Sequence, residues 1–141
     1  MIRGGGTYSE DLHQAARLAT TTASSDDLAA CAMWAESNGY GTAQHLGIIG
    51  ASAGGFLMGL ALTRNPNLYR AVVSQVGIYD LLRVELTPNG AYNVPEFGTV
   101  KDPTQFAWMQ RVRLYATGVK NPYTTAMFLQ RTGGVDASSM I

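Results

Sequence analysis

The sequence predicts an α/β fold in which a mostly parallel sheet carries helices on both faces. Two observations lead there. Short apolar runs alternate along the chain with stretches of helical period, the pattern of strands joined through helices. A glycine-flanked serine also stands between one such run and one such stretch, where a strand hands over to a helix.

The elements follow in order. Gly4-Gly5-Gly6 continues neither regular structure comfortably and reads as a turn, after which residues 10–18 predict a short helix carrying Leu12, Ala15, Ala16 and Leu18. A polar spacer covers residues 20–24. Ser25 with Asp26 and Asp27 then places a capping side chain and negative charge at a helix start, and Leu28, Cys31, Ala32, Trp34 and Ala35 recur at helical spacing. Asn38-Gly39 closes that helix. The run Leu46-Gly47-Ile48-Ile49 has the pattern of a buried parallel strand. Phe56, Leu57, Leu60 and Leu62 mark the next helix, which Asn65-Pro66 stops because proline disfavours a helical residue before it. Residues 71–76 are the second strand. Residues 81–102 hold Pro88, Gly90, Pro95 and Gly98 without a sustained period and read as a long, site-forming loop. Asp102-Pro103 starts a helix running to about Arg113, and residues 126–129 make a last strand that leaves toward Gly133-Gly134.

The chain has 141 residues, 10 basic and 10 acidic, enough for one core and typical of a soluble globular domain. No stretch concentrates Lys or Arg, so neither nucleic acid nor a membrane surface is expected as a partner. Cys31, the sole cysteine, excludes a disulfide or cysteine-rich metal site within the chain and reads as a small core residue. Neither a metal nor a cofactor is expected. No apolar run reaches the roughly 20 residues that cross a bilayer, and the N-terminus lacks the apolar segment of a signal peptide. The compartment stays open between cytoplasm and periplasm.

The chemistry concentrates at Gly50-Ala51-Ser52-Ala53-Gly54, a Gly-x-Ser-x-Gly string between a strand and a helix. A serine hydroxyl is a poor nucleophile until a base takes its proton, and a sharp turn at a strand's end presents it to both base and substrate. The N–H of Ala53, at the helix start, would donate to an oxyanion, which the helix dipole also favours. An ordinary glycine-rich turn, or one that binds phosphate, is the alternative. No Gly-Lys-Ser or Gly-Lys-Thr follows, which argues against a P-loop.

Several segments in register resemble the prolyl oligopeptidase family of serine peptidases. They are Arg3-Gly4-Gly5-Gly6 with His13, Asp26-Asp27, Asn38-Gly39-Tyr40, Ser52-Ala53-Gly54-Gly55, Asn65-Pro66 with Leu68-Tyr69, Gln75-Val76-Gly77 with Asp80, and Pro95-Glu96-Phe97-Gly98 before Asp102-Pro103. The resemblance covers the chain to about residue 110. It implies part of one α/β-hydrolase peptidase domain over residues 1–141, which complete members join to a β-propeller that gates access by oligopeptides. It also implies that Ser52 is the nucleophile and Ala53 an oxyanion donor.

The family's Thr-Gly-x-x-Asp segment matches Thr132-Gly133-Gly134-Val135-Asp136, making Asp136 the expected triad aspartate, although Ser138 replaces the family's usual arginine two residues on. Without the resemblance, Asp136 reads as a turn residue. Tyr92 is the nearest match to the aromatic that stacks on the substrate's proline; a partly buried loop aromatic is the equal alternative. Glu96 is either an ion-pair partner or solvated. The family's histidine lies downstream of the segments matched, and its second oxyanion donor, a tyrosine, upstream. His13 matches a non-catalytic position, and His45 reads as a surface turn residue. The expectation is therefore a peptidase part, inactive as it stands, whose partners are an oligopeptide substrate and the remainder of the parent chain. A small esterase on the same fold and a non-catalytic association module are the alternatives.

Overall fold

In a computed structural model of the chain, residues 1–112 and the strand 127–130 are described. The elements are α1 (Glu10–Gln14), α2 (Ala23–Ser37), β1 (Gly47–Ala51), α3 (Ala53–Arg64), β2 (Ala71–Gln75), α4 (Gly90–Phe97), α5 (Pro103–Val112) and β3 (Met127–Gln130). The three strands form a parallel sheet in the order β1-β2-β3. All three carboxyl ends therefore open on the same edge.

The helix after β1 organises the core. The sequence Ala53–Arg64 is apolar nearly all round, and such a helix must be buried on more than one side. One side of α3 sets Met58, Ala61 and Leu62 against Val72, Tyr69 and Ala32, with Ile48 alongside. The other sets Phe56 and Leu60 against Leu81, Phe97, Trp108 and Met109. Ile49, pointing to the opposite face of the sheet, is 67% exposed.

Several expectations need correcting. The first helix ends at Gln14 rather than running to residue 18, because Leu18 adopts φ +52° and opens a separate 3-10 turn. α2 begins at Ala23, so Ser25 is not its cap but a buried residue of its first turn. Cys31 is exposed, since α2 turns the stripe Ser25, Ala29 and Ala32 inward and Cys31 lies one residue off it. Residues 81–102 are not a loop throughout. They contain a 3-10 turn, Val84–Leu86, and the eight-residue α4. Tertiary packing outweighs the unfavourable Pro95 there: Phe97 is buried edge-on against Phe56 with ring centroids 5.2 Å apart, and Gly98 ends the helix at φ +90°.

Arg64, at the end of α3, clamps that helix to the start of α2. Its Nη1 donates to Thr22 O and Ser25 Oγ, both at 3.0 Å, and lies 2.8 Å from Asp26 Oδ1. Arg64→Ala would leave the buried Ser25 hydroxyl without that donor, a loss of about 1 kcal/mol. Asp26→Ala should cost clearly less, because the carboxylate is half exposed and solvent screens it. Urea midpoints of the two variants measure the difference.

Asp102 caps α5 as the sequence suggests. Its Oδ1 accepts from Thr104 N at 2.8 Å and Gln105 N at 3.3 Å, and these backbone donors hold its pKa below the ordinary carboxylate value. A depressed carboxylate contributes its stability in full above the unfolded pKa, about 3.9. That contribution is lost as pH falls through the folded value. Asp102→Asn keeps a capping oxygen but cannot titrate. Below about pH 4, the unfolding midpoint of the natural chain should therefore fall more steeply with pH than that of the variant.

Candidate active site

The turn between β1 and α3 carries the candidate nucleophile. Ser52 stands between Ala51, the last residue of β1, and Ala53, the first of α3, with φ +55° and ψ −120°. A positive φ in a non-glycine residue costs about 1–3 kcal/mol and persists only where its surroundings impose it. Here they do. Ser52 N donates to Gln75 O on β2 at 3.0 Å, and Phe56 N donates to Ser52 O at 3.1 Å. Ala51 and Gln75 are register partners, and the residue after Gln75, Val76, also has a positive φ, +45°. Two strained residues thus follow the ends of neighbouring strands on one edge of the sheet.

The strain leaves the serine open. Ser52 is exposed, and its side chain makes no capping hydrogen bond to α3. Its own N–H is occupied by Gln75, so it is not available to an oxyanion. The N–H of Ala53 is the first of α3 and has no acceptor within the helix by geometry. An exposed serine and the first N–H of a helix thus stand next to each other at this turn.

The glycines around the turn divide into two kinds. A Cβ built on Gly50 would lie 2.4 Å from Gly54 O, and one on Gly55 would lie 2.6 Å from Gly77 Cα and 2.9 Å from Gln75 O. At Gly54 a Cβ would meet nothing within 4 Å. Close approach of strand and helix thus depends on Gly50 and on Gly55, which lies outside the Gly-x-Ser-x-Gly string.

The other candidates are less concentrated. Tyr92 is 85% exposed and sits on α4 rather than in a loop. Asp136 lies outside the described residues, as does the Thr132-Gly133-Gly134 segment; β3 ends at Gln130 on the same edge of the sheet as Ser52. Neither histidine is presented to Ser52 as a base. His45 precedes the amino end of β1, about 16 Å of strand away from Ser52, and its Nδ1 lies 3.0 Å from Thr42 Oγ1. It helps line a cavity of about 40 Å³ with Glu36, Tyr40 and Leu68 at that end. His13 has both ring nitrogens engaged: Nδ1 lies 3.0 Å from Gly4 O, which can only accept, and Nε2 lies 3.4 Å from Glu96 Oε2. Of the two alternatives for Glu96, the structure sets its carboxylate against His13 rather than leaving it to solvent alone.

Asp80 is buried at the entrance to residues 81–102, where Arg83 Nη1 donates to its Oδ2 at 2.8 Å. Among the described residues, no group of three or more His, Cys, Asp or Glu is placed to hold a metal, and no helix is long and apolar enough to cross a membrane. Sequence reasoning passed over Ser74 and Tyr79, whose hydroxyls lie beneath the serine turn. The available signal for Ser74 was a serine directly after the apolar run Ala71-Val72-Val73 of a strand.

Comparison with known proteins gives the family and the fold. A model of the prolyl oligopeptidase family matches residues 1–133. The chain is 32% identical over 145 aligned residues to an uncharacterized peptidase of Sinorhizobium fredii, covering 99% of this chain and 20% of that protein. To the prolyl endopeptidase of Dictyostelium discoideum it is 33% identical over 105 residues, covering 74% of this chain and 14% of the relative. Among solved structures, prolyl oligopeptidase B from Galerina marginata superposes with a TM-score of 0.82 at 30% identity, over 91% of this chain and 18% of that one. The 141 residues thus span about a fifth or less of the proteins they match.

Proposed function

This chain belongs to the prolyl oligopeptidase family of serine peptidases, and on that premise we propose that it carries the nucleophilic part of an oligopeptide-hydrolysing site, with Ser52 as the attacking residue. The observation that carries the reading is the Ser52 turn: a solvent-facing serine held at positive φ between a parallel strand and the N-terminus of α3.

The chemistry is acyl transfer. Ser52 Oγ attacks the scissile carbonyl carbon while a base takes its proton, and the Ala53 N–H stabilises the oxygen that becomes negative. Collapse of the tetrahedral intermediate returns the proton to the leaving amine. Water then releases the acyl group from Ser52 by the reverse sequence. The base must be an imidazole in the right place, and the settings of His13 and His45 argue against both. Polypeptide other than these 141 residues is therefore the proposed source of the base, with Asp136 orienting it. Tyr92 is proposed to contact the residue before the scissile bond.

The test supplies the missing base from solution. With a short acyl ester as substrate, imidazole should produce slow turnover by the natural chain beyond its background, and Ser52→Ala should abolish the excess. Equal imidazole-dependent rates for the two proteins would remove Ser52 from the mechanism.

A further inference from the structure

Beneath the serine turn, β2 contributes a hydroxyl that packing alone does not explain. Ser74 is 0% exposed and donates from Oγ to Gly55 O at 3.0 Å. The half-buried Tyr79 donates its phenolic O–H to Ser74 Oγ. A hydroxyl has one proton to give and two lone pairs to receive, so both bonds are satisfied together and run from Tyr79 through Ser74 to Gly55. Burying a serine where alanine would pack costs free energy unless its hydrogen bonds are made, so this site depends on its partners.

The acceptor's position gives the network its meaning. Gly55 is the third residue of α3, three positions after Ser52, and contacts β2 more closely than any side chain would allow. β2 therefore grips the turn twice from consecutive residues: Gln75 O holds the Ser52 N–H, and Ser74 Oγ holds the first turn of α3. The two bonds hold the turn at two points, one before the helix and one within its first turn. Burial pushes the Tyr79 pKa above its ordinary value, which keeps the donor proton in place through neutral pH.

We propose that Ser74 and Tyr79 are positioning residues for Ser52, acting through Gly55 to fix the first turn of α3 and with it the direction of the Ser52 hydroxyl and the Ala53 N–H. The catalytic consequence rests on Ser52 being the nucleophile. The positional consequence does not.

The experiment uses the whole chain as Ser74→Ala and as Tyr79→Phe, each removing one hydroxyl without adding bulk. Site-resolved amide exchange is read at Ser52 and Phe56, whose N–H groups bond to Gln75 O and Ser52 O, and at Asn65, whose N–H bonds to Ala61 O at the far end of α3. Urea unfolding gives the global change. In Ser74→Ala, exchange at Ser52 and Phe56 should quicken about fivefold more than at Asn65, with a smaller change of the same sense in Tyr79→Phe. Ser52 labelling by a fluorophosphonate at pH 9 should slow in the same order. Uniform acceleration at all three amides, matching the urea result, would reduce both hydroxyls to general stability and overturn the proposal, as would no change. If Ser52 of the natural chain takes no label, the nucleophile reading fails while the exchange data still decide the positional claim.

Discussion

Gly55→Ala is expected to destabilise the chain by about 3 kcal/mol or prevent its folding, whereas Gly54→Ala should be neutral or slightly stabilising. The added methyl at Gly55 would lie 2.6 Å from Gly77 Cα and 2.9 Å from both Gln75 O and Ser74 Oγ. Two of those three atoms are backbone, so no rotamer change relieves the clash, and α3 must move away from β2. Overpacking in a dense core costs about 1–3 kcal/mol and sometimes more, and this clash is backbone against backbone. Such a displacement would also break the Ser74 hydrogen bond to Gly55 O. At Gly54 the space is open, and alanine is the better helix former by roughly 0.8–1 kcal/mol. Urea midpoints of the two variants, measured side by side, check the contrast. Equal losses would mean that the strand and helix do not meet as described.

The second large effect is an absence of turnover. The 141-residue chain, assayed on a proline-containing chromogenic peptide without added base, should show no hydrolysis distinguishable from its Ser52→Ala variant. His13 is engaged by Gly4 and Glu96, and His45 lies at the other end of β1, so neither histidine is placed to take the Ser52 proton. Triad enzymes stripped of a member keep about 10³–10⁴-fold acceleration over water, against the 10⁶-fold or more of working enzymes. With Ser52 N–H committed to Gln75, even that residue of catalysis depends on the single donor at Ala53. Substantial turnover lost in the alanine variant would identify a base that the described geometry does not supply.

What the sequence disclosed depended on how local each signal was. The alternation of apolar runs and helical stretches marks β1, α3, β2 and α5 because each buries a face whose period is written in consecutive residues. The Ser52 turn was legible for the same reason, its glycines lying within a few residues of the serine. α4 was hidden because its stability comes from distant partners: Phe97 meets Phe56, which is 41 positions earlier in the chain, and no local pattern announces that contact. Cys31 was assigned to the core by residue type, while the actual buried stripe of α2 runs through Ser25, Ala29 and Ala32. Ser74 and Tyr79 were overlooked as parts of the site for a related reason. Their role exists only when β2 is laid beside α3, and a string centred on Ser52 does not contain β2.

The central proposal is that Ser52, among the hydroxyls of the described residues, is the one set up to attack an electrophile. Its most direct test is reaction of the intact chain with a fluorophosphonate at alkaline pH, where hydroxide can take the serine proton, followed by mapping of the modified peptide. The account predicts one dominant adduct on Ser52, formed at least about tenfold faster than at any other serine or threonine because the Ala53 N–H stabilises the developing charge. Modification spread over several exposed hydroxyls at similar rates, or concentrated at a residue other than Ser52, would contradict it.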